Sequence, residues 1–435
     1  MLNKARHAAH NTPPSRNRAA DFYRTVAICF VGLGHWILVA PYIPEKELEL
    51  RNILAIQPWT QYLTWLFQVM PVFFFVGGYS NAASWSSARS TLEKRRNWAT
   101  ARLSRLLLPV LPLVLVWALA ATISFLVGVE PELAKATSRA ALIPVWFLAV
   151  YIMITLVVPV TFALWERIGL WSISIFAAIA ILIDVVGIGF GQGWLRWANY
   201  APVWLSVHQL GYWWWRGSVG KIGMTVLCLI GVIWSSVLLG YAGYPISMVS
   251  VPGEEFSNTR PPTTAMLAIG SLQISLLLLL ARPVNAWLKR ETPWVTVIVV
   301  AQHIMTIYLW HLTVVIAVVG LSLAFGGIGF RVEPGSAAWW SYRPLWIAFL
   351  IALLLPFIAI FGRFEAGARQ LGNSSTGMLQ AGLGALLTCS GLTVLALSGI
   401  SSDRFPGFNW TACALTVAGV ALATGRTFGS RLNSR

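Results

Sequence analysis

The sequence predicts an all-α polytopic membrane protein of about twelve transmembrane helices. Three observations carry that reading. Hydrophobic residues make up 57% of the chain and charged residues 11%, the mean hydropathy is +0.69, and long apolar stretches recur from one end to the other. A chain of 435 residues with so few charges cannot cover one soluble core with a polar exterior.

Taken in order, residues 1–20, rich in Ala, Asn, Pro and Arg, read as a disordered cytoplasmic tail. No apolar core followed by a small-residue cleavage site precedes the first span, so that span is expected to remain. Spans are expected near 22–43, 61–83, 104–127, 143–164, 168–190, 198–215, 222–242, 264–281, 294–318, 345–362, 377–399 and 409–425. Asp184 in the fifth, His208 in the sixth and the shortness of the last dilute the apolar signal there. Cys29, Cys228, Cys389 and Cys413 lie within apolar segments without short pair spacing and read as small buried hydrophobes. Trp59, Trp65, Trp85, Trp194, Trp197, Trp287, Trp294, Trp339 and Trp340 fall near span ends, as interface belts require.

The net charge of +16 is explained by topology. With the N-terminus inside, most of the 31 Lys and Arg fall on the cytoplasmic side, including Arg24, the run Lys94, Arg95 and Arg96, Arg102, Arg105, and Arg426, Arg431 and Arg435 near the C-terminus. The basic balance therefore marks membrane orientation and excludes a nucleic-acid surface. The basic rim also suits anionic lipids or an anionic small molecule.

Chemistry must sit within the helices, because no segment between them is long enough for a separate soluble domain. The most informative pair is Arg24 and His35. Eleven residues of α-helix advance three turns plus roughly 20°, which puts both on one face about 16 Å apart along the axis. A cation at the membrane edge is expected beneath an imidazole well inside the bilayer, and ionisable groups at such depth are kept to meet a partner, a cavity or a substrate. Gly77 and Gly78, before Tyr79, allow close helix approach. Arg102 and Arg105 are three apart on one face and can grip one polyanion, or simply set topology. Asp184 is either an orienting partner or a solvated residue at the external end of its span. His208-Gln209 and Gln302-His303 are candidates to line a substrate path, and His311 follows Tyr308-Leu309-Trp310. His303 and His311 are eight apart, about 80° round one helix, a poor arrangement for two ligands of one metal; none is expected.

Together these pieces resemble the acyltransferase-3 family of bacterial integral-membrane acyltransferases. The resemblance is carried by Arg24 with His35, the stretch ending Gly77-Gly78-Tyr79, Arg102 with Arg105, Trp146-Phe147-Leu148, Tyr308-Leu309-Trp310-His311 and Phe364-Glu365. It implies a ten-helix catalytic bundle over 21–370, followed over 371–435 by two additional helices and a basic cytoplasmic tail. It also implies His35 and the late Glu365 as catalytic residues, with Arg24, Arg102 and Arg105 at the donor site. Gly77 stands where members often have Ser, and Ala366-Gly367 follow Glu365 where a basic residue and Pro are common, which leaves the role of Glu365 open.

The implied reaction moves an acyl group, acetyl being the simplest, from cytoplasmic acyl-CoA to a hydroxyl of an envelope glycan, glycolipid or exported molecule. No bound cofactor is expected. A thioester is already activated, so transfer needs a base for the hydroxyl proton, a donor for the oxyanion and exclusion of water. His35 suits the first task, by direct deprotonation or through an acyl-histidine, while Arg24 suits the CoA phosphates. Expected partners are acyl-CoA, the glycan or glycolipid acceptor and membrane lipids, in a bacterial inner membrane with both termini cytoplasmic. The last two helices either pack on the core or support a homo-oligomer. A twelve-helix transporter or flippase would share the basic loops and Gly-rich helices, but would be expected to show two similar halves, and none is apparent.

Overall fold

The computed structural model describes residues 2–44, 47–369 and 376–425. In chain order the elements are α1 (Leu2–His10), α2 (Arg18–Leu38), β1 (Val39–Tyr42), β2 (Glu49–Asn52), α3 (Ile53–Ile56), α4 (Thr64–Phe67), α5 (Met70–Ala88), α6 (Leu92–Leu107), α7 (Val110–Leu126), α8 (Pro131–Ala141), α9 (Ile143–Leu156) and α10 (Val158–Ile168). They continue as α11 (Trp171–Asp184), α12 (Tyr200–Trp215), α13 (Lys221–Gly240), α14 (Ala265–Trp287), α15 (Glu291–Ala301), α16 (Ile304–Ala324), α17 (Ala337–Arg369), α18 (Met378–Ser398) and α19 (Trp410–Thr424).

The chain is an all-α polytopic membrane protein. Helices dominate because a backbone in hydrocarbon must satisfy its own N–H and C=O groups. Among the described residues the only strands are the antiparallel pair β1–β2, in register Val39↔Asn52 to Tyr42↔Glu49. Eight helical runs there are long and apolar enough to cross a membrane, and nine if α8 and α9, bent by 46°, form one span. Each of the twelve expected stretches is helical, yet three fall short of a full apolar span. α2 carries Arg18, Asp21, Arg24 and His35, α12 has 16 residues and α19 has 15. The ninth stretch, expected as one helix over 294–318, is two: α15 and α16 meet at Gln302-His303.

The chain divides into two compact units. The first comprises Met1–Ala83, Pro159–Gln302 and Val319–Ala348. Its N-terminal segment, expected to be disordered, is helical over α1. Ala5 and Ala9, one turn apart, are buried with Leu288, Trp294, Val295 and Val297, and Thr12 accepts the Trp294 indole N–H at 2.9 Å. Small side chains at four-residue spacing give α1 a narrow apolar face that the composition hides. Elsewhere in this unit α5 crosses α12 where Gly78 meets Gly211, and α13 lies against α14 at Gly231.

The second unit comprises Ser84–Val158, His303–Val318 and Phe349–Arg435. Trp310 of α16 stacks on Phe361 of α17 at 3.9 Å. α18 and α19 pack closely through Gly384, Gly391 and Gly419, and α18 lies on α9, with Cys389 Sγ 3.5 Å from the Ala149 carbonyl. The last two helices therefore pack within this unit. The basic tail with Arg426, Arg431 and Arg435 and the loop at 370–375 lie outside the described residues.

Candidate active site

In the first unit α2 follows Asn17 and carries Asp21 in its first turn, where a carboxylate favours the positive end of the helix. Ala20, Tyr23, Ala27 and Val31 recur every three or four residues on its buried face. Tyr23 Oη donates to the Leu277 carbonyl at 2.7 Å and seats α2 on α14. Arg24 is one-third exposed and pairs with Asp21 at 2.7 Å; the same carboxylate holds Arg16 at 2.7 Å. Two guanidiniums on one carboxylate leave the cluster net positive, as a polyanion site requires.

α2 is unbroken from Arg24 to His35, so the predicted register holds. The helix ends at Leu38, where the first span was expected to run to near 43, because the chain turns into β1. His35 is half-buried in the last helical turn, and its carbonyl accepts the Val39 N–H. The next carbonyl, that of Trp36, accepts from Trp346 Nε1 at 3.3 Å and Arg343 Nη1 at 3.5 Å. Arg343 belongs to the same contact. It is 8% exposed, with its guanidinium 3.3 Å from the Trp339 ring centroid. The available signal was the pattern W-x-x-x-R-x-x-W, which sets both indoles on the arginine's face.

The remaining first-unit candidates are packed. A Cβ on Gly78 would come within 2.8 Å of the His208 carbonyl carbon and closer still to its oxygen, so this glycine permits a helix crossing. Tyr79 lies against Trp214 at 4.5 Å, and Phe75 stacks on the same indole at 5.0 Å. Trp214 thus fills the side of α5. His208 is fully buried, with Nε2 3.1 Å from Asn81 Nδ2. Asp184 is not solvated: at 2% exposure it accepts from Asn199 Nδ2 at 2.7 Å, Tyr244 Oη at 3.1 Å and the Thr264 N–H at 2.7 Å. It ties α11, the 241–264 loop and the start of α14 together.

In the second unit Thr91 caps α6 by accepting the Lys94 N–H at 3.3 Å. Leu103, Ser104 and Leu107 are buried on one face, while Arg102 and Arg105 share the other. Ser84 Oγ accepts from Arg102 Nη2 at 2.7 Å and from Trp98 Nε1 at 2.9 Å; Arg105 is exposed. His303 sits in the break before α16, where its ring lies on Gly362. It therefore shares no continuous helix with His311, contrary to the angle drawn from sequence. His311 Nδ1 lies 2.7 Å from the Tyr308 carbonyl, which can only accept, so Nδ1 carries the proton. Tyr308 Oη donates to the Pro144 carbonyl at 2.6 Å. Glu365 is 3% exposed and receives the Met305 N–H at 3.3 Å, the Thr306 N–H at 3.1 Å and Thr306 Oγ1 at 3.0 Å. Its carboxylate thus satisfies the open N-terminus of α16.

The Acyltransferase domain model of the acyltransferase-3 family matches residues 17–362. The match opens at α2 and closes within α17, so it includes Arg24, His35, Arg102, Arg105 and Arg343 and stops before Glu365. No curated protein and no solved structure matches the chain. With Arg24 and His35 on one helix face inside a matched region that spans most of the chain, this multi-pass membrane protein belongs to the acyltransferase-3 family of acyltransferases.

Proposed function

We propose that the protein transfers an acyl group, acetyl being the simplest, from cytoplasmic acyl-CoA to a hydroxyl on an envelope glycan, glycolipid or exported molecule, with His35 as the base. The observation that carries this reading is the continuity of α2 between Arg24 and His35. Their separation of about 16 Å along the axis suits a donor whose phosphates stay at the Arg16–Asp21–Arg24 cluster while its pantetheine arm follows the helix to the imidazole. His35 accepts the proton of the acceptor hydroxyl as the oxygen attacks the thioester carbonyl carbon. The tetrahedral oxyanion then collapses with cleavage of the C–S bond, and the proton passes to the departing CoA thiolate. The last-turn position of His35 favours an acceptor that arrives from the side opposite the basic rim.

The family resemblance supports Arg102 and Arg105 as further contacts for donor phosphates. Glu365, whose oxygens already hold the start of α16, is proposed as the anchor of that helix. The distribution of Lys and Arg supports cytoplasmic termini in a bacterial inner membrane.

The test is free-thiol release from acetyl-CoA and longer acyl-CoAs by purified protein in nanodiscs, supplied with envelope extract as acceptor. Release should vanish in His35→Ala and demand more donor in Arg24→Ala, with all three proteins monodisperse. Release indifferent to His35, or none from the wild type, overturns the reading.

A further inference from the structure

We propose that Arg343 forms an anion-binding subsite beside His35, which takes a carboxylate or phosphate carried by the acyl acceptor. The inference rests on the acyl-transfer reading for the word acceptor, and on the geometry of the first unit for the site itself.

The first turns of α17 place Trp339, Arg343 and Trp346 on one face, at spacings of four and three residues. The guanidinium lies 3.3 Å from the Trp339 ring centroid and 5.9 Å from that of Trp346. Among the described residues its one hydrogen bond is the long contact to the Trp36 carbonyl at 3.5 Å, and no carboxylate pairs with it. A guanidinium has five N–H donors, so most of them find no acceptor in the described chain.

A structural role alone does not account for this arrangement. Trp346 already donates to the Trp36 carbonyl, at the shorter distance of 3.3 Å. A neutral amide at 343 would cap the same carbonyl without the cost of desolvating a charge. What only arginine offers is a planar fork that matches a carboxylate or phosphate with two parallel hydrogen bonds, while its face stays on an indole. Because the contact reaches Trp36, the next residue after His35, an anion held there fixes the acceptor near the base. The substrate class is therefore an acidic or phosphorylated glycan or glycolipid, in preference to a neutral one.

The experiment is equilibrium binding to the full chain in nanodiscs, without donor. The probes are methyl β-glucuronide for the carboxylate, glucose 1-phosphate for the phosphate and methyl glucoside as the neutral match, each against wild type, Arg343→Gln and Arg343→Lys. At least one anionic probe should bind the wild type and bind Arg343→Gln roughly tenfold to a hundredfold more weakly, the loss of a charge-assisted hydrogen bond. The preferred anion distinguishes carboxylate from phosphate, and methyl glucoside should not sense the substitution. If Arg343→Gln is not monodisperse, Arg343→Lys decides, since it keeps the charge and loses the fork; undiminished binding there overturns the proposal. So does equal anion binding by wild type and Arg343→Gln, or no anion binding by wild type. Failure of the acyl-transfer reading would appear separately, as thiol release indifferent to His35 with anion binding intact.

Discussion

Gly78→Ala should destabilise the protein more than its single added carbon suggests. The new Cβ would lie 2.8 Å from the His208 carbonyl carbon and 3.2 Å from Gly211 Cα, with the His208 oxygen nearer still. These are backbone atoms, so no side-chain rotation relieves the clash, and α5 and α12 must part. Overpacking of a close interface costs about 1–3 kcal/mol, with backbone contacts at the upper end. Separation also strains the Asn81–His208 hydrogen bond, 3.1 Å long and one turn further along α5, for about 1 kcal/mol more. A loss of roughly 3 kcal/mol corresponds, for a chain of this length, to a drop on the order of 3 °C in thermal midpoint. Thermal challenge followed by size-exclusion chromatography of detergent-purified protein reads it. Gly382→Ala, where an added Cβ meets nothing within 4 Å on α18, is the control and should be neutral or slightly stabilising. A Gly78→Ala protein as stable as wild type would refute the crossing of α5 on α12.

Glu365→Gln turns an amide N–H toward the start of α16 and should lower stability by roughly 1–3 kcal/mol, with thiol release falling no further than the folded fraction; a far larger fall in rate would give Glu365 a chemical role. Asp184→Ala leaves Asn199, Tyr244 and the Thr264 N–H without their shared acceptor, and a loss of roughly 3–5 kcal/mol should show in the same thermal assay. The Lys135 ammonium, 2.7 Å from Asp403, holds that carboxyl below its ordinary value. A depressed carboxyl stabilises above its unfolded pKa and loses that contribution as pH falls through the lowered value, so proteolysis of the 399–409 loop should accelerate only under strongly acidic conditions. Asp403→Asn should remove that pH dependence, and an unchanged profile would show that the pair does not tether the loop.

Much of this molecule was legible from sequence. The apolar stretches marked the helices, because hydrocarbon leaves a backbone no other economical way to satisfy its polar groups. The eleven-residue interval between Arg24 and His35 gave their shared face, since helical periodicity is local and α2 is unbroken between them. Roles were less legible. Gly78 and Asp184 are residue types found equally in packing and in function, and only their neighbours separate the two.

The sequence by itself determined the class, the family and the helix register, all of which depend on hydropathy and spacing within some tens of residues. Tertiary structure alone decided that α1 docks on α15, that α2 stops at Leu38, that Glu365 closes the start of α16 and that Arg343 reaches the carbonyl after His35. The reason is physical. Each of these turns on which polar or apolar atom finds its partner across segments far apart in the chain, and local periodicity carries no information about that pairing.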